Sequence, residues 1–490
     1  MDSEETKDQS GDPKDGRKPL PAEKTAVSHH SLNLKGERLE YTATTGVQYL
    51  RNDEEKPTAA IFFIAYTLNE VDNYSDRPIM FCFNGGPGSC SVWLHLGAYG
   101  PKRIDMVDGE IPRPNQARLI DNDCTLLDLT DLVFIDPVET GFSCAGEEGK
   151  AEDFLGLDGD ADSISQFIVR YLNRYHRWSS PKLLSGESYG TTRSGALACR
   201  LQEQGVALNG LVLVSLAVNF QTFIFDLAND LPYVMFLPTY AAVAWYHKML
   251  PDYVDSDLDT LISEVREWTY DVYAPALMRG DSISTVSRQE VAEQLSRFTG
   301  LKLDEILDLD LRIADMRFSK SVMQNSGMTV GRMDGRYTGL DLDRDHRRTQ
   351  RDPSIDAPMT PYTGLINDHI RRTLGFKHEN MYKIINMKAN SDWNWTRPKR
   401  LGYPDTSDEL RKAMIKNPHL KVLFANGLYD LATPFLGAEY TADHLELGST
   451  LRQNITLTYY SAGHMMYFHR PSHQALKVDI VALFSASLNH

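Results

Sequence analysis

Cysteine is scarce in this sequence: five among 490 residues, Cys82, Cys90, Cys124, Cys144 and Cys199, and none after Cys199. No Cys-x-x-Cys occurs and no His/Cys spacing suits zinc. A disulfide-stapled scaffold and a zinc module are therefore excluded, and the thiols read as buried and free. HExxH, a phosphate loop and a dinucleotide fingerprint are also missing, so neither metal nor cofactor is expected. A long basic run is lacking too: 51 Lys+Arg stand against 67 Asp+Glu, a formal net charge of −16. Nothing collects phosphate charge, which excludes nucleic acid and anionic membranes as expected partners. The most apolar window, Leu231 to Tyr246, is interrupted by Pro232 and Pro238 and is shorter than the ~20 residues a membrane helix needs. The first 24 residues, MDSEETKDQSGDPKDGRKPLPAEK, hold no apolar signal-peptide core. They read as a disordered charged tail, set at residues 1–28, and favour a cytoplasmic chain, or a secreted or periplasmic one whose leader has been removed.

What is present is material for a large core: 42% hydrophobic, 10% aromatic and 24% charged residues, the balance of a globular chain. The length admits two to four domains, or one large α/β domain with an insertion. Short apolar runs bounded by turn signals recur at AAIFFIAY (59–66), PIMFCF (78–83), DLVFID (131–136), PKLLS (181–185) and LVLVS (211–215), with a polar helix expected over 163–175. Buried strands alternating with helices predict a mostly parallel sheet. From about residue 221 to 395 the strand rhythm gives way to helical spacing, with a polar, loop-like stretch over 332–361. Strands resume at LKVLFANG (420–427) and NITLTYYS (454–461). The expected organisation is a core over 29–220, a largely helical insertion or cap over 221–395, and the rest of the core over 396–490.

Gly186-Glu187-Ser188-Tyr189-Gly190 follows one expected strand and precedes a helical stretch. That is the strand–turn–helix setting of a nucleophile elbow, whose glycines permit the strained turn that exposes a serine Oγ. A serine needs a base and the base needs an orienting carboxylate. Asp430 and His464 each occupy a loop after a later strand, and the order Ser, Asp, His is that of the α/β hydrolases. Asn84-Gly85-Gly86-Pro87-Gly88, after PIMFCF, supplies consecutive glycines that turn backbone N–H groups toward an anion. Asp341 to Asp345 and Asp158 to Asp162 imitate the start of a calcium loop but lack its later glycine and glutamate, and read as solvated loops.

With these four segments in this order the chain resembles the serine carboxypeptidases, over roughly residues 40–220 and 400–490. The phrase from Asp136 to Ser143 is similar to that family as well. The resemblance implies an α/β-hydrolase fold and removal of C-terminal residues from peptides through an acyl-serine intermediate. It assigns Ser188 as nucleophile, His464 as base and acid, and Asp430 as its orienting partner. It places the oxyanion at the backbone N–H groups of Gly86 and Tyr189, and the peptide's C-terminal carboxylate at Asn84 and Glu187. It also points to Met465 as a pocket-lining residue, with core packing as its alternative, and Asn219, just past the strand LVLVS, is a pocket candidate by its position. Because a carboxylate repels another, Glu187 must be protonated when substrate binds.

The sequence departs from the family in three places. Where relatives carry a Glu before Leu-Gly-Pro, here the stretch reads Gly97-Ala98-Tyr99-Gly100-Pro101. Ala98 removes a carboxyl that would share a proton with Glu187, so weaker selectivity for a free C-terminus or an activity displaced toward neutral pH is expected. His95 is a candidate replacement contact or a packed core residue. Where relatives carry a cysteine right after Gly-Gly-Pro-Gly that joins a disulfide to the insertion, the stretch here reads Ser89-Cys90-Ser91 and no cysteine follows Cys199 to make that link, and His464-Met465-Met466-Tyr467 replaces the usual His-Met-Val-Pro. Two other functions share the scaffold: an acyltransferase or esterase using the same three residues, and a catalytically silent binding module.

Overall fold

Strands made only of apolar residues must be covered on both faces, and the chain builds its centre from them. The computed structural model describes residues 20, 22–106, 108, 110, 113, 116–342, 351–397 and 400–488. Nine strands, β1 (Thr25–Leu34), β2 (Glu37–Arg51), β3 (Pro57–Leu68), β4 (Ile79–Phe83), β5 (Asp131–Ile135), β6 (Lys182–Glu187), β7 (Gly210–Val214), β8 (Lys421–Gly427) and β9 (Ile455–Tyr460), join the short strand Cys144–Ala145 in one ten-stranded sheet. The order is β1-β2-β3-β5-β4-β6-β7-β8-β9, with Cys144–Ala145 paired to β3. From β5 to β9 every pairing is parallel, while β1, β2 and β3 form an antiparallel flank.

Alternation sends successive side chains to opposite faces. In β4, Ile79, Phe81 and Phe83 enter one core, and Met80 and Cys82 the other. The first core packs against α1 (Leu157–Arg174), α2 (Tyr189–Glu203), α7 (Ser407–Lys416) and α8 (Phe435–Asp443). In α1 the residues Ile164, Phe167, Ile168, Tyr171 and Leu172 bury the i, i+3, i+4, i+7 stripe of an amphipathic helix. The second core is closed by α9 (Arg470–Leu488) and by residues Tyr362 to Ile384.

The region expected as one insertion divides in two. Helices α3 (Leu231–Tyr246), α4 (Leu258–Trp268) and α5 (Thr285–Thr299) share a separate core that closes on Phe435 and Leu436 of α8. Helix α6 (Pro353–Asp368) and the chain to Ile384 instead return to the sheet. The loop expected over 332–361 is thus partly helical: Asp352 caps α6 and Pro353 suits its first turn. Pro358 and Pro361 inside it misdirect a propensity-based reading, because they forfeit backbone hydrogen bonds that burial of Tyr362 and Ile366 offsets. The tail set at 1–28 is also corrected at its end, since Thr25 to Ser28 pair with Ala43 to Gly46; residues 1–19 and 21 lie outside the described residues.

Two further expectations change. Asp158 to Asp162 are no solvated loop but the first turns of α1, where Asp158 pairs with Arg397 at 2.7 Å and Asp160 with Arg193 at 2.7 Å. Asp341 is buried in an ion pair with Lys320 at 2.6 Å, and residues 343–345 lie outside the described residues. None of the five cysteines is in a disulfide, and Cys82, Cys90 and Cys124 are buried. Among the described residues no helix is long and apolar enough to cross a membrane, and no three His, Cys, Asp or Glu side chains gather as metal ligands.

Candidate active site

Ser188 stands between the end of β6 and the first residue of α2, with φ 59° and ψ −128°. A positive φ is costly for a residue with a Cβ; the turn is held by the Ser188 amide donating to the Val214 carbonyl at 2.9 Å. The half-buried hydroxyl therefore sits at the carboxyl edge of the sheet, at the amino end of a helix, where free N–H groups and the helix dipole favour negative charge. The Asn84–Gly86 segment lies directly against this turn. A Cβ on Gly85 would fall 2.7 Å from both the Glu187 carbonyl and the Gly190 amide, and closer still to the Tyr189 amide. Only glycine allows the segments bearing Gly86 and Tyr189 to approach so far.

His464 follows β9 and Asp430 follows β8, the neighbouring strand. The Asp430 carboxylate is fully buried and accepts from His464 Nδ1 at 2.7 Å, Thr433 Oγ1 at 2.7 Å, and the amides of Ala432 at 2.8 Å and Thr433 at 3.0 Å. A carboxylate can only accept, so Nδ1 carries the proton and Nε2 is left with its lone pair. His464 Nε2 is buried and has no hydrogen-bond partner. It is therefore not yet hydrogen-bonded to Ser188 Oγ, a contact that often tightens only around substrate. Burial disfavours the imidazolium, but the fields of Asp430 and Glu187 outweigh it and hold the His464 pKa above its ordinary value. The backbone of this loop is clamped: Ser215 Oγ donates to the His464 carbonyl at 2.7 Å, and the His464 amide donates to the Met333 carbonyl at 2.6 Å.

Glu187 is fully buried beside Ser188, and burial pushes its pKa up to about 7 against the opposing pull of His464 and two hydrogen bonds. Those bonds come from Asn84 Nδ2 to Oε1 at 2.9 Å and from Tyr467 Oη to Oε2 at 2.6 Å. The contact sought for Glu187 in place of the missing carboxyl is thus Tyr467. His95 is buried against Tyr66 Oη at 2.7 Å, in a group shared with His369. Met465 packs in the core beneath the sheet at 7% exposure. The Asn219 side chain accepts from the Gln221 amide at 3.1 Å and caps a short turn.

Sequence reasoning missed a buried ion pair under the site. Arg193, on α2, donates through Nε to Asp160 of α1 at 2.7 Å and through Nη1 to the Asn84 carbonyl at 2.7 Å, with its guanidinium over the Phe83 and Tyr189 rings. One side chain thus joins the elbow helix, α1 and the Asn84 loop. A buried pair is expensive to break on one side. Arg193→Met should lower the urea midpoint by the equivalent of about 3–5 kcal/mol, and Arg193→Met/Asp160→Asn should recover a large part of it. An unchanged midpoint in the single variant would contradict this role.

The architecture is that of an α/β hydrolase. The crystal structure of a truncated KEX1, a prohormone-processing carboxypeptidase from Saccharomyces cerevisiae, superposes with a TM-score of 0.56 over 90% of this chain and 91% of that one, at 16% identity. The chain belongs to the serine carboxypeptidase family, whose sequence profile matches residues 38–465. The pheromone-processing carboxypeptidase KEX1 of Saccharomyces cerevisiae is 30% identical over 146 residues, 28% of this chain and 19% of that protein. Its Candida glabrata counterpart is 29% identical over 130 residues, 26% of this chain and 16% of that protein. The matched stretch thus spans about a fifth of the curated relatives' length.

Proposed function

We propose that this chain is a serine carboxypeptidase that releases C-terminal residues from peptides through an ester on Ser188. The observation that carries the reading is the conjunction, at one sheet edge, of a strained Ser188, a His464 whose Nε2 is the free acceptor, and a buried Glu187 with a raised pKa. In this reading His464 Nε2 takes the Ser188 proton as Oγ attacks the carbonyl carbon of the last peptide bond. The N–H groups of Gly86 and Tyr189 hold the oxyanion. The leaving amine takes the proton from Nε2, and a water activated by the same nitrogen hydrolyses the ester. Neutral Glu187 and Asn84 bind the free carboxylate of the departing residue, which confines cleavage to chain ends.

The test compares a blocked dipeptide with a free C-terminus, the same dipeptide amidated, and the corresponding ester. The expected result is residue release from the free dipeptide, with kcat/KM falling about 100-fold or more on amidation, because a buried acid left without its charged partner costs roughly 3 kcal/mol. Ester cleavage without dipeptide release would assign an esterase or acyltransferase. No turnover, and no labelling of Ser188 by a phosphonylating reagent, would leave a binding module.

A further inference from the structure

The Glu187 carboxyl is gripped at both oxygens, and the second grip comes from a residue that neither bears on the triad nor reaches the scissile bond. Oε1 faces Asn84 Nδ2 at 2.9 Å and Oε2 faces Tyr467 Oη at 2.6 Å. We infer that Tyr467 is the positioning residue of the carboxylate site: its hydroxyl on Oε2 and Asn84 Nδ2 on Oε1 together fix the plane of the Glu187 carboxyl, so that the neutral acid is held in one orientation toward the peptide's C-terminal carboxylate. The inference rests on the carboxypeptidase reading above and adds the means by which one acid, without a second carboxyl, is aimed.

The surroundings favour this assignment. A carboxyl contacted at one oxygen still turns about its terminal bond, a broad sp³–sp² torsion, whereas contacts at both oxygens hold its plane. Tyr467 keeps its hydroxyl proton: the side chain is buried and its pKa lies well above the ordinary phenol value through burial and the nearby Glu187. Asn84 Nδ2 carries two hydrogens, so one can stay on Oε1 while the other reaches the substrate carboxylate. Ala98 contributes no acid, and the titratable groups that face Glu187 are His464, Asp430, Tyr99, Tyr362 and Tyr467. The ring of Tyr467 also needs room that the sequence supplies. A Cβ on Gly97 would lie 2.6 Å from Tyr467 Cε2 and 2.7 Å from Tyr362 Oη, so only glycine there admits the ring in this position.

The test measures kcat/KM for the blocked dipeptide with a free C-terminus from pH 4 to 9 in wild type, Tyr467→Phe, Gly97→Ala and Glu187→Gln. In wild type the high-pH limb reports ionisation of Glu187 in the free enzyme. A phenol donor stabilises the ionised form, so its removal raises the acid's pKa: in Tyr467→Phe the limb should move upward by about 0.5–1 pH unit. KM at pH 5.5 should rise about fivefold as the acid loses its orientation. Gly97→Ala, which pushes the ring aside, should move the limb in the same direction. Glu187→Gln, a permanent neutral donor, should abolish the limb. If Tyr467→Phe leaves the limb where it was while Glu187→Gln removes it, Tyr467 is only structural and the inference falls, with the carboxylate site intact. If Glu187→Gln keeps the limb, the carboxylate site itself is wrong and the inference falls with it.

Discussion

Ser188→Ala should lower kcat/KM for C-terminal residue release by about 10⁴-fold or more, with the fold undisturbed. The argument separates chemistry from architecture. Ser188 pays for a positive φ at the elbow, but alanine has the same Cβ and meets the same backbone demand. The amide bond to the Val214 carbonyl belongs to the main chain and survives the change. Only Oγ is lost, and without it the acyl intermediate cannot form; what remains is whatever the oxyanion donors and substrate binding supply. The check is single-turnover and steady-state release by the purified variant, alongside its urea midpoint. A loss of less than tenfold with normal stability would mean that another group makes the bond.

Asp430→Asn should cost about 10⁴-fold in kcat while changing KM little. The wild-type carboxylate accepts four hydrogen bonds, from Ala432, Thr433 twice and His464. An asparagine can keep its carbonyl oxygen toward the Ala432 and Thr433 amides, which turns its NH2 toward His464 Nδ1 and the Thr433 hydroxyl. That arrangement requires an unprotonated Nδ1, so the proton moves to Nε2, the nitrogen that must accept from Ser188. Rising pH should not rescue the variant, because the tautomer rather than the charge is at fault. A variant that regains wild-type kcat at high pH would contradict this tautomer account.

Much of the site was legible because its chemistry is written in short local strings. Ser188, Asp430 and His464 each follow a strand of the sheet, and the buried strands β4, β5 and β7 announce themselves by short apolar runs. The structure brings Asp430 and His464 into contact and sets Asn84 against Glu187, as the motif order suggests. The antiparallel flank was harder to read: β1, TAVSHHSLNL, alternates polar and apolar residues and has one half-exposed face. Residues 353–361 were misread as loop because prolines mark loops locally, whereas tertiary burial decides here. Arg193 and Tyr467 matter through partners more than thirty residues away in sequence, which no spacing reveals. A charged residue inside the otherwise small and apolar stretch TTRSGALA was the available signal for Arg193; for Tyr467 the signal was its departure from the family's proline.

The central claim is that one strained serine, one free imidazole nitrogen and one neutral acid act together on a peptide's end, and a pH profile of the wild-type enzyme tests it most directly. Release from a blocked dipeptide with a free C-terminus should give a bell-shaped kcat/KM. Its rising limb follows deprotonation of His464, whose pKa is raised above 6.5, and its falling limb follows ionisation of Glu187 near pH 7. The corresponding ester, which has no carboxylate to hold, should show the rising limb alone. A free-carboxylate substrate whose profile coincides with that of the ester through pH 9 would contradict the account. So would activity confined below about pH 5, where His464 is protonated.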